Sequence, residues 1–402
     1  MAIAAEENKE ISITPTAELG DSIQYSDQFR ERLDVLQSCV AYRHTSRVPH
    51  FSNFFTWKIL DSDLKPKLSE ALADYGMLDR IQCEFQERYN FDCHYNLNTR
   101  NLLKPSDVLG GHHHHIDDER ESINFFDQPL MEDGEYLEYV NHRDGMNWRM
   151  FLRKYPDIEA GKIAEGIILN FDNAKFTSHI DEKFVTKYGC PDAYGPCIVQ
   201  VPYERFHKYL RGIKNGTLDL RRHSAECREV FDRIQKEEIM PYLEASLKKD
   251  TSMYMNDTMT ALLAHTMLSQ KQWDEFYWPY QKQYFDAILA SGKNVMVYVE
   301  DSIIRFKEYF QDYPKGFLTI VPERDDVFEL REAIPNATIV GGISTQLLGN
   351  GTPEECVERT KRVIDGMGDG FVLGQDKMVS FRNDCRRENL LAVCDYVQNF
   401  RW

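Results

Sequence analysis

The chain has 402 residues, 42% of them hydrophobic, with 48 Lys and Arg against 65 Asp and Glu for a net charge of −17. That length allows one large domain or two smaller ones with a sizeable core. The acidic balance disfavours a general nucleic-acid binder, which needs a basic footprint. No run approaches the roughly 18 apolar residues of a membrane span. The start, "MAIAAEENKEISITPTAELGD", has neither a basic n-region nor an apolar h-region, and the nine cysteines are scattered and odd in number. A reduced, cytoplasmic setting is the expectation. Cys83, Cys93, Cys190 and Cys197 form no paired C-x-x-C knuckles, so no zinc ribbon is expected.

In chain order, residues 1–25 read as a loose tail and residues 26–402 as one domain. "YSDQFRERLDVLQSCVAYR" places Phe29, Leu33, Leu36 and Val40 at helical spacing, and "SRVPHFSNFF" reads as an entering strand. The stretch from about 100 to 260 is less regular. "SINFFDQPLMEDGEYLEYVNH" reads as a short strand and a helix, and the charged segment from "PYERFHKYL" to "MPYLEASL" as helix-rich. From there the pattern sharpens. "QWDEFYWPYQKQYFDAILASGK" reads as one helix stopped at Gly292, then Val295–Val299 as a strand and "IIRFKEYFQDY" as a helix. Phe317–Val321 is a strand, "DDVFELREAI" a helix and Thr338–Val340 a strand. Thr352-Pro353-Glu354-Glu355 is a capping box with proline at the first helical position, and Phe371–Leu373 is a last strand.

Strands alternating with helices imply βα units and a parallel sheet buried on both faces. About eight candidate strands and no G-x-G-x-x-G after a strand favour an α/β fold of the (β/α)8 TIM-barrel type with insertions and an N-terminal extension. Active sites of such barrels gather at the carboxyl ends of the strands. The residues there are Glu300 and Asp301, Glu323 and Arg324, Gly341, Gly342 and Thr345, and Gln375 and Asp376. Two carboxylates from different strands suit a divalent metal or an acid–base pair, and His265 lies one βα step earlier. His50, Asn53 and Trp57 in "HFSNFFTWK", Cys93, His94, Asn96 and Arg100 in "NFDCHYNLNTRN", and Trp278 offer aromatic and polar groups to a planar ligand. His112–His115 cannot all hold one ion, because alternate side chains of an extended run face opposite ways. No G-x-S-x-G, P-loop or H-E-x-x-H occurs.

The segment "VGGISTQLLGNGTPEECVERTKRVIDGMGDGFVLGQDK", followed by "ENLLAVCDYV", resembles the uroporphyrinogen decarboxylase superfamily, with "SRVPHF" similar to its opening strand. "ESINFFDQPLMEDGEYLEYV" resembles a segment of its anaerobic branch. The resemblance implies a (β/α)8 barrel. True uroporphyrinogen decarboxylases carry an arginine-rich N-terminal motif that is absent from "RVPHFSNFFTWKILDSD", which disfavours a polycarboxylate tetrapyrrole substrate.

The other branch transfers methyl groups between small substrates and corrinoid proteins, through zinc held by H-x-C and a later cysteine. Tyr298 and Glu300 stand at the H-x-C position here, and the later cysteine falls near Asp376. The resemblance therefore implies a corrinoid-dependent methyltransferase, the demethylase component of an anaerobic system. Its metal, zinc or another divalent ion, would be held by Glu300, Glu323 and His265. Tyr298, Glu300 and Asp301 would be catalytic, and His50, Asn53, Trp57, His94, Arg324 and Trp278 would contact the substrate. The methyl donor would be a small methyl ether or amine. Cobalamin would be supplied by a partner corrinoid protein, since no D-x-H-x-x-G motif is present, and a homodimer is compatible with this reading. The alternatives are a metal-free decarboxylase or lyase and a non-catalytic ligand-binding barrel.

Overall fold

The computed structural model describes residues 25–95, 103–111 and 113–402. The expected tail, apart from Tyr25, lies outside the described residues, as do Asn96, Arg100 and His112. A hairpin of β1 (His114–Asp117) and β2 (Ser122–Phe125) stands apart from the main sheet. The main sheet is parallel and consecutive: β3 (Tyr194–Ile198), β4 (Asn256–Leu262), β5 (Val295–Val299), β6 (Leu318–Pro322), β7 (Thr338–Ile343) and β8 (Phe371–Gln375).

Two further segments close this sheet into an eight-membered ring. His50 bridges Leu373, Phe51 bridges Cys93, and His94 bridges Asp192, all in parallel. The Phe51 N–H donates to the Leu373 carbonyl at 2.8 Å, and the Ala193 N–H donates to the His94 carbonyl at 2.8 Å. The first two staves of the barrel are thus single bridges rather than strands. The entering strand expected in "SRVPHFSNFF" is cut short there: beyond Phe51 the chain pairs instead with Val379, which exchanges backbone bonds with Asn53 and Phe55.

Alternation sorts each strand into an inner and an outer face. On β5, Met296 and Tyr298 join the barrel interior with Phe51, Cys93, Tyr95, Tyr194, Met259 and Val321. Val295, Val297 and Val299 pack outward against the surrounding helices. The helix Asp27–Val40 plugs the amino end of the barrel: Leu36, Cys39 and Val40 enter the interior cluster, and Thr338 Oγ1 lies 3.3 and 3.2 Å from the carbonyls of Cys39 and Val40.

Two helical expectations change. The helix expected across "QWDEFYWPYQKQYFDAILA" is two helices, Gln270–Phe276 and Trp278–Ala290, because Pro279 has no N–H to continue the first. "IIRFKEYFQDY" forms only a 3₁₀ stretch, Ile304–Tyr309. Phe306 stacks on Trp273 at 4.0 Å, and the Arg305 guanidinium caps the His265 and Leu268 carbonyls, so tertiary contacts fix its short geometry. The capping box at Thr352 is present, with Glu355 N–H to Thr352 Oγ1 at 3.2 Å and Thr352 N–H to Glu355 Oε2 at 2.8 Å. Among the described residues no helix is long and apolar enough to cross a membrane.

Candidate active site

The inner-face parity of the strands carries past their carboxyl ends. It brings Asn53, Glu300, Glu323 and Asp376 to the mouth above the interior rings of Tyr95 and Tyr298. These two rings stack at 6.1 Å, and Tyr194 meets Tyr95 edge-on at 5.8 Å. Under the carboxylates lies an aromatic floor.

Glu300 directly follows β5 and is exposed. Its carboxyl is pushed up to about 7, by burial first and then by the charges of Glu323 and Glu204, with Lys208 opposing. Burial also raises the Asp376 carboxyl, although the Thr345 N–H donates to its Oδ1 at 2.9 Å. The Tyr298 phenol is raised well above its ordinary value by burial and by the charges of Glu323 and Glu300, so it stays protonated as a donor facing the acids. A carboxyl poised near neutrality beside an ionisable neighbour is the usual makeup of a general acid. Replacing Tyr298 with Phe is expected to leave the fold intact and to shift the pH midpoint of turnover, since a hydroxyl that feels both Glu300 and Glu323 is lost. A pH–rate profile of the variant checks this, and an unchanged midpoint would remove Tyr298 from the site.

Asn53 is fully buried, and among the described residues its side-chain amide has no hydrogen-bond partner, whereas its backbone N–H donates to Gln375 Oε1 at 2.9 Å. A buried amide facing the mouth in this state suits recognition of a ligand heteroatom. Asn53→Ala is accordingly expected to raise KM more than it lowers kcat, read from steady-state kinetics.

The structure separates other expected site residues from the mouth, and the reason is again parity. Asp301 follows Glu300 and faces outward. Its backbone takes a left-handed φ of 59°, which lets its N–H reach Glu323 Oε2 at 3.0 Å, while its carboxylate pairs with Arg324 at 2.9 Å. Asp301 therefore orients Glu323 through its backbone. Arg324 is the exception, lining a groove of about 590 Å³ together with Asp326, Ser344 and the mouth residue Asp376. His50 is sandwiched against Phe91 at 4.4 Å, with its imidazole 3.8 Å from Cys394 of the last helix, and burial lowers it to about 4. Trp57 is core, its indole donating to the Cys385 carbonyl at 2.9 Å. Trp278 stacks between Trp273 and Tyr309 among the outer helices. His94 points outward to the helix Ala160–Tyr188.

His265 is fully buried behind the rim, with Nε2 3.0 Å from the Ser302 carbonyl, and burial lowers it to about 4. Among the described residues, Glu300, Glu323 and His265 do not come within reach of one ion; the trio that does is His94, Asp181 and Asp192, on the outer wall. The donors expected for zinc are thus not assembled at the mouth.

Two mouth residues escape the sequence reading. Glu204 follows β3 and is buried. Its Oε1 accepts the Leu263 and Ala264 N–H groups at 2.8 and 3.0 Å and the Tyr277 hydroxyl at 2.6 Å, while its Oε2 has no partner among the described residues. Burial raises this carboxyl. Lys208, on the π-helical turn Phe206–Leu210, sends a positive charge toward both Glu300 and Glu204. The apolar run "CIVQVP" just before Pro202-Tyr203-Glu204 is the signal that marks this strand end.

These features define a closed (β/α)8 barrel with a group of carboxylates over an aromatic floor at its carboxyl mouth. Residues 208–398 match the family model described as Uroporphyrinogen decarboxylase (URO-D). Among solved structures, a methyltransferase from Methanosarcina mazei shares the fold with a TM-score of 0.59 and 12% identity, covering 92% of this chain and 98% of that one. No curated protein sequence matches the chain.

Proposed function

We propose that this protein is a transferase that takes a methyl group from a small methyl ether or amine and delivers it to a corrinoid carried by a separate protein. Glu300 is the proton donor. The observation that carries the reading is the Glu300 carboxyl, held near neutrality at the mouth of the barrel. The carbon–heteroatom bond breaks with its electron pair left on the oxygen or nitrogen, the methyl carbon bonds to the partner's acceptor, and Glu300 gives its proton to the heteroatom. Glu323, held by the Asp301 N–H, keeps the Glu300 proton in place by like-charge repulsion. Asn53 binds the heteroatom side of the substrate, and the Tyr95–Tyr298 floor packs against its apolar part. The shared fold with a methyltransferase is compatible with this reading.

The test is an anaerobic assay of methyl transfer to a reduced free corrinoid across a panel of methyl ethers and methylamines. Transfer from one class, abolished in Glu300→Gln, is the expected result. No transfer from any donor, with carbon dioxide released from a carboxylated compound instead, would favour the decarboxylase reading. That second reading draws on the family match and needs the same acid to protonate a carbanion.

A further inference from the structure

Outside the mouth, three ligand-bearing side chains converge where the barrel wall meets its longest helix. His94 and Asp192 are bridge partners on adjacent staves, so their side chains leave the wall side by side. Asp181 reaches them from the helix Ala160–Tyr188. One ligand atom from each lies within 4.8 Å of the others. His94 is 1% and Asp192 7% exposed, yet His94 Nε2, Asp192 Oδ1 and Asp181 Oδ1 are all buried without a hydrogen-bond partner among the described residues. Such atoms are costly, because each forfeits its hydration and the one contact among them, His94 Nε2 to Asp181 Oδ1 at 3.6 Å, is longer than a hydrogen bond.

We infer that His94, Asp181 and Asp192 form a divalent transition-metal site that fastens the helix Ala160–Tyr188 to the barrel. One imidazole and two carboxylates are a donor set of the intermediate hardness that zinc accepts, with metal–ligand distances of about 2.0–2.2 Å. The sides need to close by a fraction of the present separation, and Asp181, whose side chain is 23% exposed, is the most accessible of the three. The nearest cation that acts on His94 is Lys58. Its ammonium donates to Gln82 at 3.0 Å rather than to either carboxylate, so it does not neutralise the pair. Burial lowers Lys58 to about 7, so it sheds its charge easily beside an incoming ion. The role is structural: the site lies on the outer wall, and its residues face away from Tyr95 and Cys93, which line the interior.

The test uses the full chain carrying Glu300→Gln and Glu323→Gln, so that any ion at the mouth is removed from consideration. Zinc is titrated calorimetrically, and thermal unfolding is followed with and without it. One zinc per chain and a melting temperature raised by zinc are expected. Adding Asp181→Asn, a change on the open side that the fold tolerates, is expected to weaken binding by more than about tenfold and to abolish the rise. Asp192→Asn is expected to do the same. If the background protein takes up no zinc, or binds it equally well with Asp181→Asn and with Asp192→Asn, the site does not exist. Loss of methyl transfer has no bearing on this outcome.

Discussion

Glu300→Gln is expected to lower turnover by about 10²–10⁴-fold, the usual worth of a positioned proton donor. Glutamine keeps the shape of the mouth and removes only the transferable proton. The wild-type rate is expected to fall as pH rises through about 7, where Glu300 loses that proton, and the variant should lack this limb. The same group makes a stability prediction of definite sign. Its folded carboxyl is raised from 4.5 to about 7, so between those values the folded protein binds more protons than the unfolded chain. Stability from this group is therefore lost as pH rises across that window. Glu300→Gln should melt at a higher temperature than wild type above pH 7 and at about the same temperature below 4.5. A variant of unchanged rate, or one less stable than wild type at high pH, contradicts the assignment.

Asp92→Ala should be the most destabilising single change near the site, by about 3–5 kcal/mol, because it strands buried guanidinium charge. Asp92 is 7% exposed and accepts from Arg47 Nη1 at 2.8 Å and Nη2 at 3.0 Å, from Arg32 Nε at 3.1 Å and from the His50 N–H at 2.9 Å. It thereby ties the plugging helix, the first stave and the second stave to one carboxylate. Glu31, which also pairs with Arg47, is 52% exposed and should cost about 0–1 kcal/mol when replaced by Ala. Urea unfolding of the two variants measures the contrast directly, and equal losses would mean that Asp92 does not organise the seam.

Much of the barrel was legible because β5 to β8 are short, largely apolar runs of 5, 5, 6 and 5 residues, and the helices after β6 and β7 start at side-chain caps. The amino-terminal staves were not, since a single bridge has no periodicity to read. The site was half legible. The ends of β5 to β8 were located, yet alternation had not been carried beyond them. Counting in twos from Tyr298 selects Glu300 and rejects Asp301; from Phe51 it selects Asn53 and rejects His50; from Cys93 it selects Tyr95 and rejects His94. Glu204 and Lys208 stayed hidden because Gly195 and Pro196 interrupt the apolar signal of β3. His265 misled because an imidazole next to a strand end is indistinguishable in sequence from a ligand, and only its bond to the Ser302 carbonyl shows otherwise.

The single-bridge closure also sets an order of assembly. The bond that joins Asn53 to Gln375 spans 322 positions, and the neighbouring bridge joins His50 to Leu373. Contacts so distant along the chain are slow to form, because the loop between them must be ordered first. During synthesis the sheet from β3 onward can grow by neighbour-to-neighbour pairing, but the ring stays unclosed until β8 has emerged. Until then the backbone edge at His50 and Phe51 that pairs with Leu373 has no partner strand, although the rings of Phe51 and Phe54 already pack on Tyr95, Phe85 and Phe91.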